Sequence, residues 1–275
     1  MDYVVSDNKI SMVIQSGSLF DFAHIAGDGD IDVAVKVTPA DVRGDLENER
    51  GDMVLPFVTV NVSMSVNGEN INQAAAPYSI SIDLSGLDFG EGLEINLDSD
   101  RVNAHRLIAI DDNDKIVSSR FDSKTRLFAF TTKETGNFTI TYIESLMRLE
   151  MRIDSFTICD LAGNAPIQIM DVLPIIQYDN VLIPIRFVAE ALGAKIDWTP
   201  QTDTSPLVVH ITLDGQTLSF GVGEMKPELA ALGMDLPAKI VNGRTMVPLG
   251  FVSEFFDALV GWDEITGNIE IIKIK

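Results

Sequence analysis

The feature that most constrains this chain is a segment of its second half that occurs twice. The stretch Leu-Ile-Pro-Ile-Arg-Phe-Val-Ala-Glu-Ala-Leu-Gly-Ala-x-Ile-Asp-Trp at 182–198 is followed by Met-Val-Pro-Leu-Gly-Phe-Val-Ser-Glu-Phe-Phe-Asp-Ala-x-x-Gly-Trp at 246–262. Similarity at a fixed spacing indicates two copies of one supersecondary unit. The residues that define the repeat are Pro184 and Pro248, Phe187 and Phe251, Glu190 and Glu254, and the chain's two tryptophans, Trp198 and Trp262.

Each copy predicts a turn, a short apolar strand, a helix and a second strand. The turns are expected at Asp179-Asn180 and at Asn242-Gly243. A proline closes the first strand of each copy, and we expect it in the first turn of the helix, where its missing N–H costs no hydrogen bond. Apolar residues at helical spacing then predict one buried face for each helix.

Further signals predict how the two copies are connected. Gly193 can act as a left-handed helix cap in the first copy, and Asp257 holds that place in the second, where it is a poorer cap. Asp214-Gly215 predicts a tight hairpin between two apolar runs. The helices are expected to pack on sheets that include Leu207–Leu213 and Asn268–Ile274.

The first half of the chain has a different pattern, in which short alternating runs are separated by turn residues. Many short strands with regular turn signals are typical of an all-β, sandwich-like domain. We expect the runs Leu107–Ile110 and Leu127–Thr131 to lie close together in one sheet. The predicted fold class is a multidomain mixture of β and α/β structure. It has an all-β domain over residues 1–147 and an α+β domain of two strand–helix–strand repeats over residues 148–275.

The chain is strongly acidic, which excludes two classes of partner. It has 20 Lys and Arg residues against 41 Asp and Glu, for a formal charge of −21. Affinity for phosphate comes from clustered cations, so we expect no binding to nucleic acid or to an anionic membrane surface. No apolar run reaches the roughly 18–20 residues that a membrane span requires, so no membrane insertion is expected.

The repeated segment resembles a known family. The pattern Asn-Gly-Arg-Thr-Met-Val-Pro-Leu-x-Phe-Val-x-Glu at 242–254, together with the segment at 182–198, is similar to the copper amine oxidase N-terminal-like domain, also called the stalk domain. The resemblance covers about residues 165–275. The chain departs from the family pattern at Gly250, where the first copy has Arg186, and at Asp257. The family is common in secreted and wall-associated proteins of Gram-positive bacteria, especially clostridia.

The resemblance implies a stalk that is remote from the copper site of the amine oxidases and carries no metal ligands. The histidines agree, because His24, His105 and His210 lie on separate segments with no ligand spacing between them. We therefore expect no copper, no cofactor and no oxidase activity. The resemblance also implies an extracellular or cell-surface location. The segment that begins at Met1 lacks the basic start and apolar block of a signal peptide, so an export signal is expected to lie outside this sequence.

The first half resembles a β-domain of clostridial surface and S-layer-associated proteins. The pattern Phe-Asp-x-x-Thr-x-x-Phe-x-Phe-x-Thr at 121–132, followed by Gly-Asn-Phe-Thr-Ile at 136–140, carries this resemblance. It implies a β-domain that is displayed on a surface.

The acidic run at Asp28, Asp30 and Asp32 is a weak candidate for a calcium site, because alternate carboxylates can converge on a hard cation. An EF-hand loop would have glycine and glutamate where this chain has Val33 and Pro39, so a solvated acidic turn is favoured.

Other residues with chemical potential have simpler interpretations. Trp198 and Trp262 fit glycan-stacking platforms, but their repeated placement favours packing against the helix of each copy. Arg186 and Glu190 stand four residues apart on a predicted helix, which predicts an ion pair. Cys159 has no nearby histidine and predicts a buried thiol. No nucleophile elbow, phosphate loop or zinc motif occurs, so the chain is predicted not to be an enzyme.

These features predict a non-catalytic structural or adhesive module of a bacterial cell-surface or extracellular protein. One alternative is a subunit of a self-assembling extracellular fibre or layer, in which exposed strand edges pair between copies. The other is a carbohydrate-binding module that targets a cell-wall or plant polysaccharide, which needs a row of exposed aromatic side chains. The expected partners are accordingly other surface proteins, further copies of this chain, or a polysaccharide.

Overall fold

The computed structural model describes residues 3–6, 10–14, 31–39, 54–85, 105–113, 115–122, 124–143, 146–161, 165–264 and 266–274. These residues form mostly β-strands, with three helices. The chain divides into two compact units. The first comprises Met1–Leu146 with residues 263–266 and 274–275, and the second comprises Met147–Trp262 with residues 267–273. Within the described ranges, none of the helices has the length and apolar character needed to cross a membrane.

The first unit consists of strands β1 to β11. Their bounds are β1 Tyr3–Ser6, β2 Ile10–Ile14, β3 Ile31–Pro39, β4 Val54–Val66, β5 Glu69–Ile71, β6 Gln73–Asp83, β7 Leu107–Asp111, β8 Ile116–Val117, β9 Ser119–Asp122, β10 Leu127–Glu134 and β11 Gly136–Ile143.

These strands form two antiparallel sheets that share one hydrophobic core. One sheet has the order β1-β2-β6-β10-β9, and the other has the order β3-β4-β11-β7-β8, with β5 paired to β4. Inward residues of both sheets meet in this core, where the rings of Phe130 and Phe138 lie with their centroids 5.0 Å apart. Tyr78 is fully buried in the same core, and its hydroxyl donates a hydrogen bond to the carbonyl oxygen of Glu134.

The prediction that Leu107–Ile110 and Leu127–Thr131 share a sheet is wrong. Strand β7 pairs with β11, with Phe138 opposite Asp111, whereas β10 pairs with β6 and β9 in the other sheet. An alternating pattern fixes which side chains face the core, but two sheets that enclose one core present the same alternation. The pattern therefore could not distinguish the two sheets.

The second unit contains the three helices and the remaining strands. Their bounds are β12 Leu146–Arg152, β13 Thr157–Asp160, β14 Ala165–Ile169, β15 Ile175–Gln177, β16 Asn180–Pro184, α1 Ile185–Ala191, β17 Lys195–Thr199, β18 Val208–Leu213, β19 Gln216–Gly221, α2 Pro227–Ala230, β20 Lys239–Val241, β21 Arg244–Pro248, α3 Leu249–Phe256, β22 Leu259–Asp263 and β23 Asn268–Ile274.

Three sheets surround the core of the second unit, with the orders β14-β13-β12-β23-β22, β15-β16-β21-β20 and β17-β18-β19. The predicted strands at Leu207–Leu213 and Asn268–Ile274 are present as β18 and β23. Helix α1 contacts β17 and β21, and helix α3 contacts β16 and β21. In the four-stranded sheet, β16 and β21 are antiparallel neighbours, with Ile183 opposite Val247.

The hairpin turns follow from residues that tolerate a positive φ. Asn242 and Gly243 have φ of 50° and 76°, so the predicted turn between β20 and β21 is confirmed. The turn between β15 and β16 lies at Tyr178 and Asp179, with φ of 49° and 61°, one residue earlier than predicted. Strand β16 begins at Asn180, because Asn180 pairs with Gln177 across the turn.

Helices α1 and α3 begin directly after the predicted prolines, but the prolines are not in the first helical turn. Pro184 and Pro248 are the last residues of β16 and β21 and cap the helices in extended conformations, with ψ of 103° and 145°. Strand pairing explains this, since Pro184 lies opposite Met246 and Pro248 lies opposite Leu182. At the other ends, Gly193 and Asp257 both adopt left-handed conformations, with φ of 86° and 50°.

Candidate functional site

A groove in the second unit is lined by side chains that come mainly from α1, β17 and β21. Trp198 lies on β17, where exposed Lys195, Asp197 and Thr199 alternate with half-buried Ile196 and Trp198. Because successive residues of a strand point to opposite faces, Trp198 lies on the inner face with Ile196. Its indole packs against the hydrophobic core of the second unit, so it is a core-edge residue and not an exposed platform.

Arg186 stacks over this indole. Its guanidinium carbon lies 4.1 Å from the centroid of the Trp198 ring, a cation–π contact. The ion pair predicted between Arg186 and Glu190 is absent among the described residues. Glu190 instead accepts a hydrogen bond from the side-chain amide of Gln168, at 3.1 Å. Stacking on the indole does not require a second charged group to lose its hydration. Arg186 therefore contacts Trp198 instead of Glu190.

The ring nitrogen of the indole is held by a hydroxyl. Nε1 of Trp198 donates to Oγ1 of Thr245 at 3.4 Å, and Thr245 is buried on β21. Thr245 thus holds the ring nitrogen of Trp198, while Arg186 covers the face of the ring. The hydrogen bond to Thr245 limits rotation of the indole and so keeps its face in place for the guanidinium.

A second guanidinium borders the same groove. Arg244 forms a two-pronged ion pair with Asp171: Nε donates to Oδ1 at 2.9 Å, and Nη2 donates to Oδ2. The pKa of Asp171 is lowered, first by these hydrogen bonds and then by the charges of Arg244 and Arg186. Asp171 thus forms an ion pair with Arg244, while Arg186 is in no ion pair in the described part of the chain.

The groove has a volume of about 280 Å³. Its charged and aromatic wall is formed by Arg186, Arg244 and Trp198, and its apolar wall includes Pro184, Leu207 and Ile240. Ile240 is 47% exposed although it is a large aliphatic residue. The arrangement provides cationic hydrogen-bond donors beside an aliphatic surface, which is the chemistry of a binding site and not of a reaction centre.

The equivalent place in the second copy differs for a steric reason. Gly250 stands where the first copy has Arg186, and a Cβ at position 250 would lie 3.0 Å from the carbonyl oxygen of Gly233. A side chain at 250 would therefore displace this backbone. Trp262 packs against the same core as Trp198, but no helix-borne guanidinium is available to stack on it in the described part of α3.

The remaining residues of the repeat serve packing or lie on the surface. Phe187 and Phe251 are buried in the core of the second unit. Glu190 and Glu254 are both exposed on their helices.

The weak calcium candidates fall mainly outside the described residues, where Asp28 and Asp30 lie, and Asp32 is exposed on β3. In the part of the chain that the structure describes, no group of three or more metal-ligating side chains occurs. His210 is occupied by hydrogen bonds with Thr199 and Ser219, both at 2.7 Å. Cys159 is only partly buried, less than predicted. This partial loss of solvent, together with the nearby charge of Glu150, raises the pKa of its thiol, which makes it a poor nucleophile.

One surface feature was not predicted from the sequence. Strand β14 is the outer strand of its five-stranded sheet, and it exposes Ile167 (45%) and Ile169 (76%) on one face. Phe156, 47% exposed, lies beside them, because its carbonyl accepts a hydrogen bond from the amide of Met170. On the opposite face, Gln168 binds Glu190 of α1. We call Phe156, Ile167 and Ile169 the β14 patch. The alternation of apolar and polar residues at Ile167, Gln168 and Ile169 is the sequence signal from which this patch could have been predicted.

The fold and the groove thus define a two-unit, mainly antiparallel β protein whose second unit carries a small cationic groove. Comparison with known proteins adds a family for that unit. Residues 162–271 match the family model described as copper amine oxidase N-terminal domain. The match confirms the resemblance predicted for this region, and the matching domain is the non-catalytic stalk of that enzyme class.

A curated relative covers less of the chain. Over 84 residues, the chain is 34% identical to a protein named "Protease inhibitor" from Brevibacillus choshinensis. The alignment covers 30% of this chain and only 24% of that protein. No solved structure matches the chain significantly.

Proposed function

We propose that this chain is a non-catalytic structural or adhesive module of a bacterial cell-surface or extracellular protein, and that the β14 patch is its contact surface. In this proposal the first unit is a sandwich-like spacer related to surface-displayed β-domains. The second unit is a stalk built from two copies of one strand–helix–strand unit. The observation that carries the proposal is the exposed, apolar edge strand β14.

An exposed apolar edge strand is unusual in a protein that remains alone. Natural sheets protect their edges with charged residues, proline or bulges, because unpaired backbone groups recruit other strands. The pairing of β14 with β13 is irregular at Ile167, yet Ile167 and Ile169 are both exposed, with Phe156 nearby. The chain has a net charge of −21, whereas the three residues of the patch are uncharged and apolar, which favours contact with another protein surface.

The inner face of β14 supports the same role. Gln168 is tied to Glu190 of α1 by a 3.1 Å hydrogen bond, and Thr157 of β13 lies opposite Ile169 in the ladder. The strand is therefore held on a helix and on a neighbouring strand while its isoleucines face solvent. A rigid edge loses little conformational entropy on binding, which favours association.

The test combines solution size with ligand binding. Light scattering over a concentration series should show concentration-dependent association, and a glycan array should show no saturable binding. Ile169→Lys should abolish association, because it places a charge in the centre of the patch. Ile176→Lys is the matched control: Ile176 is 54% exposed on a different outer strand, β15.

Three results would contradict the proposal. Saturable glycan binding by a monomer would instead establish a carbohydrate-binding module. Loss of association in both lysine variants would show that the β14 patch has no special role. Inhibition of a protease at stoichiometric concentrations would give this chain the activity for which the Brevibacillus relative is named.

A further inference from the structure

We propose that the groove beside Arg186 binds the free carboxyl terminus of a peptide whose last residue is aliphatic. This site shares no residue with the β14 patch, so it goes beyond the structural role proposed above. The argument rests on three properties of the groove: a preorganised cation, a net charge that suits a monoanion, and an aliphatic wall of limited size.

Arg186 is the preorganised cation. One face of its guanidinium lies on the indole of Trp198 at 4.1 Å, and the indole is itself held by Thr245. Stacking uses the face of the guanidinium and leaves its N–H edges available. In the part of the chain that the structure describes, these edges donate no hydrogen bond to another residue. A planar guanidinium with free edges matches the two oxygens of a carboxylate.

The local charge selects a monoanion. Two arginines border the groove, but Asp171 neutralises Arg244 through a two-pronged ion pair. Two positive charges and the one negative charge of Asp171 leave a net charge of +1 beside the groove. A phosphate dianion or a polyanionic chain would bring more negative charge than this groove offsets, and the acidic surface of the chain would repel the excess.

The apolar wall identifies what accompanies the carboxylate. Pro184, Leu207 and the half-exposed Ile240 form this wall. An aliphatic side chain gains free energy by covering them, at roughly 25 cal/mol per Å² of apolar surface. The side chains of this wall offer no hydrogen-bond partner to the hydroxyls of a sugar.

The size of the groove limits the ligand. At about 280 Å³, it lies just below the roughly 300–1,000 Å³ of pockets that enclose drug-sized molecules. It therefore accommodates about one residue, with the rest of the peptide outside. A terminal leucine, isoleucine or valine meets both requirements, because its carboxylate and its side chain are attached to the same carbon.

The experiment measures fluorescence polarisation with a labelled pentapeptide, Gly-Ser-Ala-Leu-Leu, as the free acid and as the C-terminal amide. The free acid should bind saturably, and the amide should bind at least tenfold more weakly. Arg186→Gln should weaken binding of the free acid at least tenfold. Arg186→Lys should give an intermediate loss, because it keeps the charge without the planar pair of donors.

The matched control is Lys195→Gln, which removes the same charge from the exposed face of β17, three residues from Trp198. It should leave peptide affinity unchanged. The comparison of acid with amide uses the unaltered protein, so it is decisive even if a variant folds poorly. Equal affinity for acid and amide, absence of binding by both, or tighter binding of inorganic phosphate or of a glucuronate oligosaccharide would overturn the proposal. None of these results would affect association through the β14 patch.

Discussion

Ile183 and Val247 lie directly opposite each other in the four-stranded sheet, and each occupies the same position in its own copy of the repeated sequence. Both side chains are fully buried. The flanking pairs are reciprocal, because Leu182 lies opposite Pro248 and Pro184 lies opposite Met246. The two halves of the second unit thus meet through the same strand of each, in antiparallel orientation, with this pair at the centre.

The first prediction concerns this central pair. Ile183→Ala should reduce the free energy of unfolding of the second unit by about 2–5 kcal/mol, and Ile183→Val by about 0.5–1.5 kcal/mol. Both variants remove buried methyl groups from the seam, the packed contact between β16 and β21. Urea denaturation followed by circular dichroism measures the difference. Ile240→Ala, at a position that is 47% exposed, should change the midpoint little. An equal loss at both positions would show that the seam is not a core feature.

The second prediction concerns a buried ion pair between β12 and β23. Arg148 donates to Oε2 of Glu270 through Nε at 3.0 Å and through Nη2 at 2.7 Å, and both residues are buried. Glu270→Gln should destabilise the second unit by about 3–5 kcal/mol, since it removes a buried carboxylate that two guanidinium donors bind. The double variant Arg148→Met with Glu270→Leu should recover most of the loss.

Thermal unfolding of the single and double variants tests this ion pair. Asp154→Asn is the control, because Arg152 and Asp154 form an ion pair that is largely exposed, and solvent screens such pairs. Its melting temperature should match that of the unaltered protein. If the double variant were as unstable as Glu270→Gln, the loss would not come from the buried charge that remains in the single variant, and this explanation would be wrong.

The third prediction is a pH dependence of the first unit. Burial raises the pKa of the Tyr78 phenol, and the charge of Glu134 adds to this effect. The unfolded phenol ionises near pH 10, while the folded phenol stays neutral to higher pH. Tyr78 therefore contributes stability that is fully present below about pH 10 and is lost as the pH rises toward the folded pKa.

Tyr78→Phe should accordingly flatten the decline in stability between about pH 9 and 11. At neutral pH it should cost about 0.5–1.5 kcal/mol for the lost hydrogen bond. Denaturation midpoints across this range provide the measurement. Tyr178→Phe, at a tyrosine that is 78% exposed, should leave the slope as it is. A slope that survives Tyr78→Phe would assign the alkaline loss to other groups.

The fourth prediction concerns the end of helix α1. Gly193 has a φ of 86°, and a Cβ built on it would meet no atom within 4 Å. Any loss on substitution therefore comes from backbone conformation and not from collision. Gly193→Val should cost about 1–2 kcal/mol, and Gly193→Asn should cost less, since asparagine tolerates the left-handed region. Differential scanning calorimetry of the two variants gives the ranking, and a reversed order would contradict this explanation.

The parts of the fold that follow from local chemistry were predictable. Turns at Asp214-Gly215 and Asn242-Gly243 have the positive φ values that these residue pairs permit. The helix starts after Pro184 and Pro248 were located from the sequence, although their capping role was not. Each of these signals lies within a few residues of the structure that it specifies.

The parts that depend on distant contacts were not predictable. Arg186 turns to an indole on the next strand and not to Glu190 four residues away, because tertiary packing outweighs a weak helix-face ion pair. Arg148 finds its partner 122 residues further along the chain. The groove likewise depends on Ile240 and Arg244, which no local pattern connects to Trp198.

The reciprocal register of β16 and β21 also bears on how two chains can associate. Ile183 lies opposite Val247, the equivalent residue of the other copy, so the same strand of each copy forms the seam. Reciprocal exchange of second halves between two molecules would therefore preserve every hydrogen bond of the seam without creating a new interface. A dimer of this kind would form through the interior of the unit and would dissociate only with unfolding.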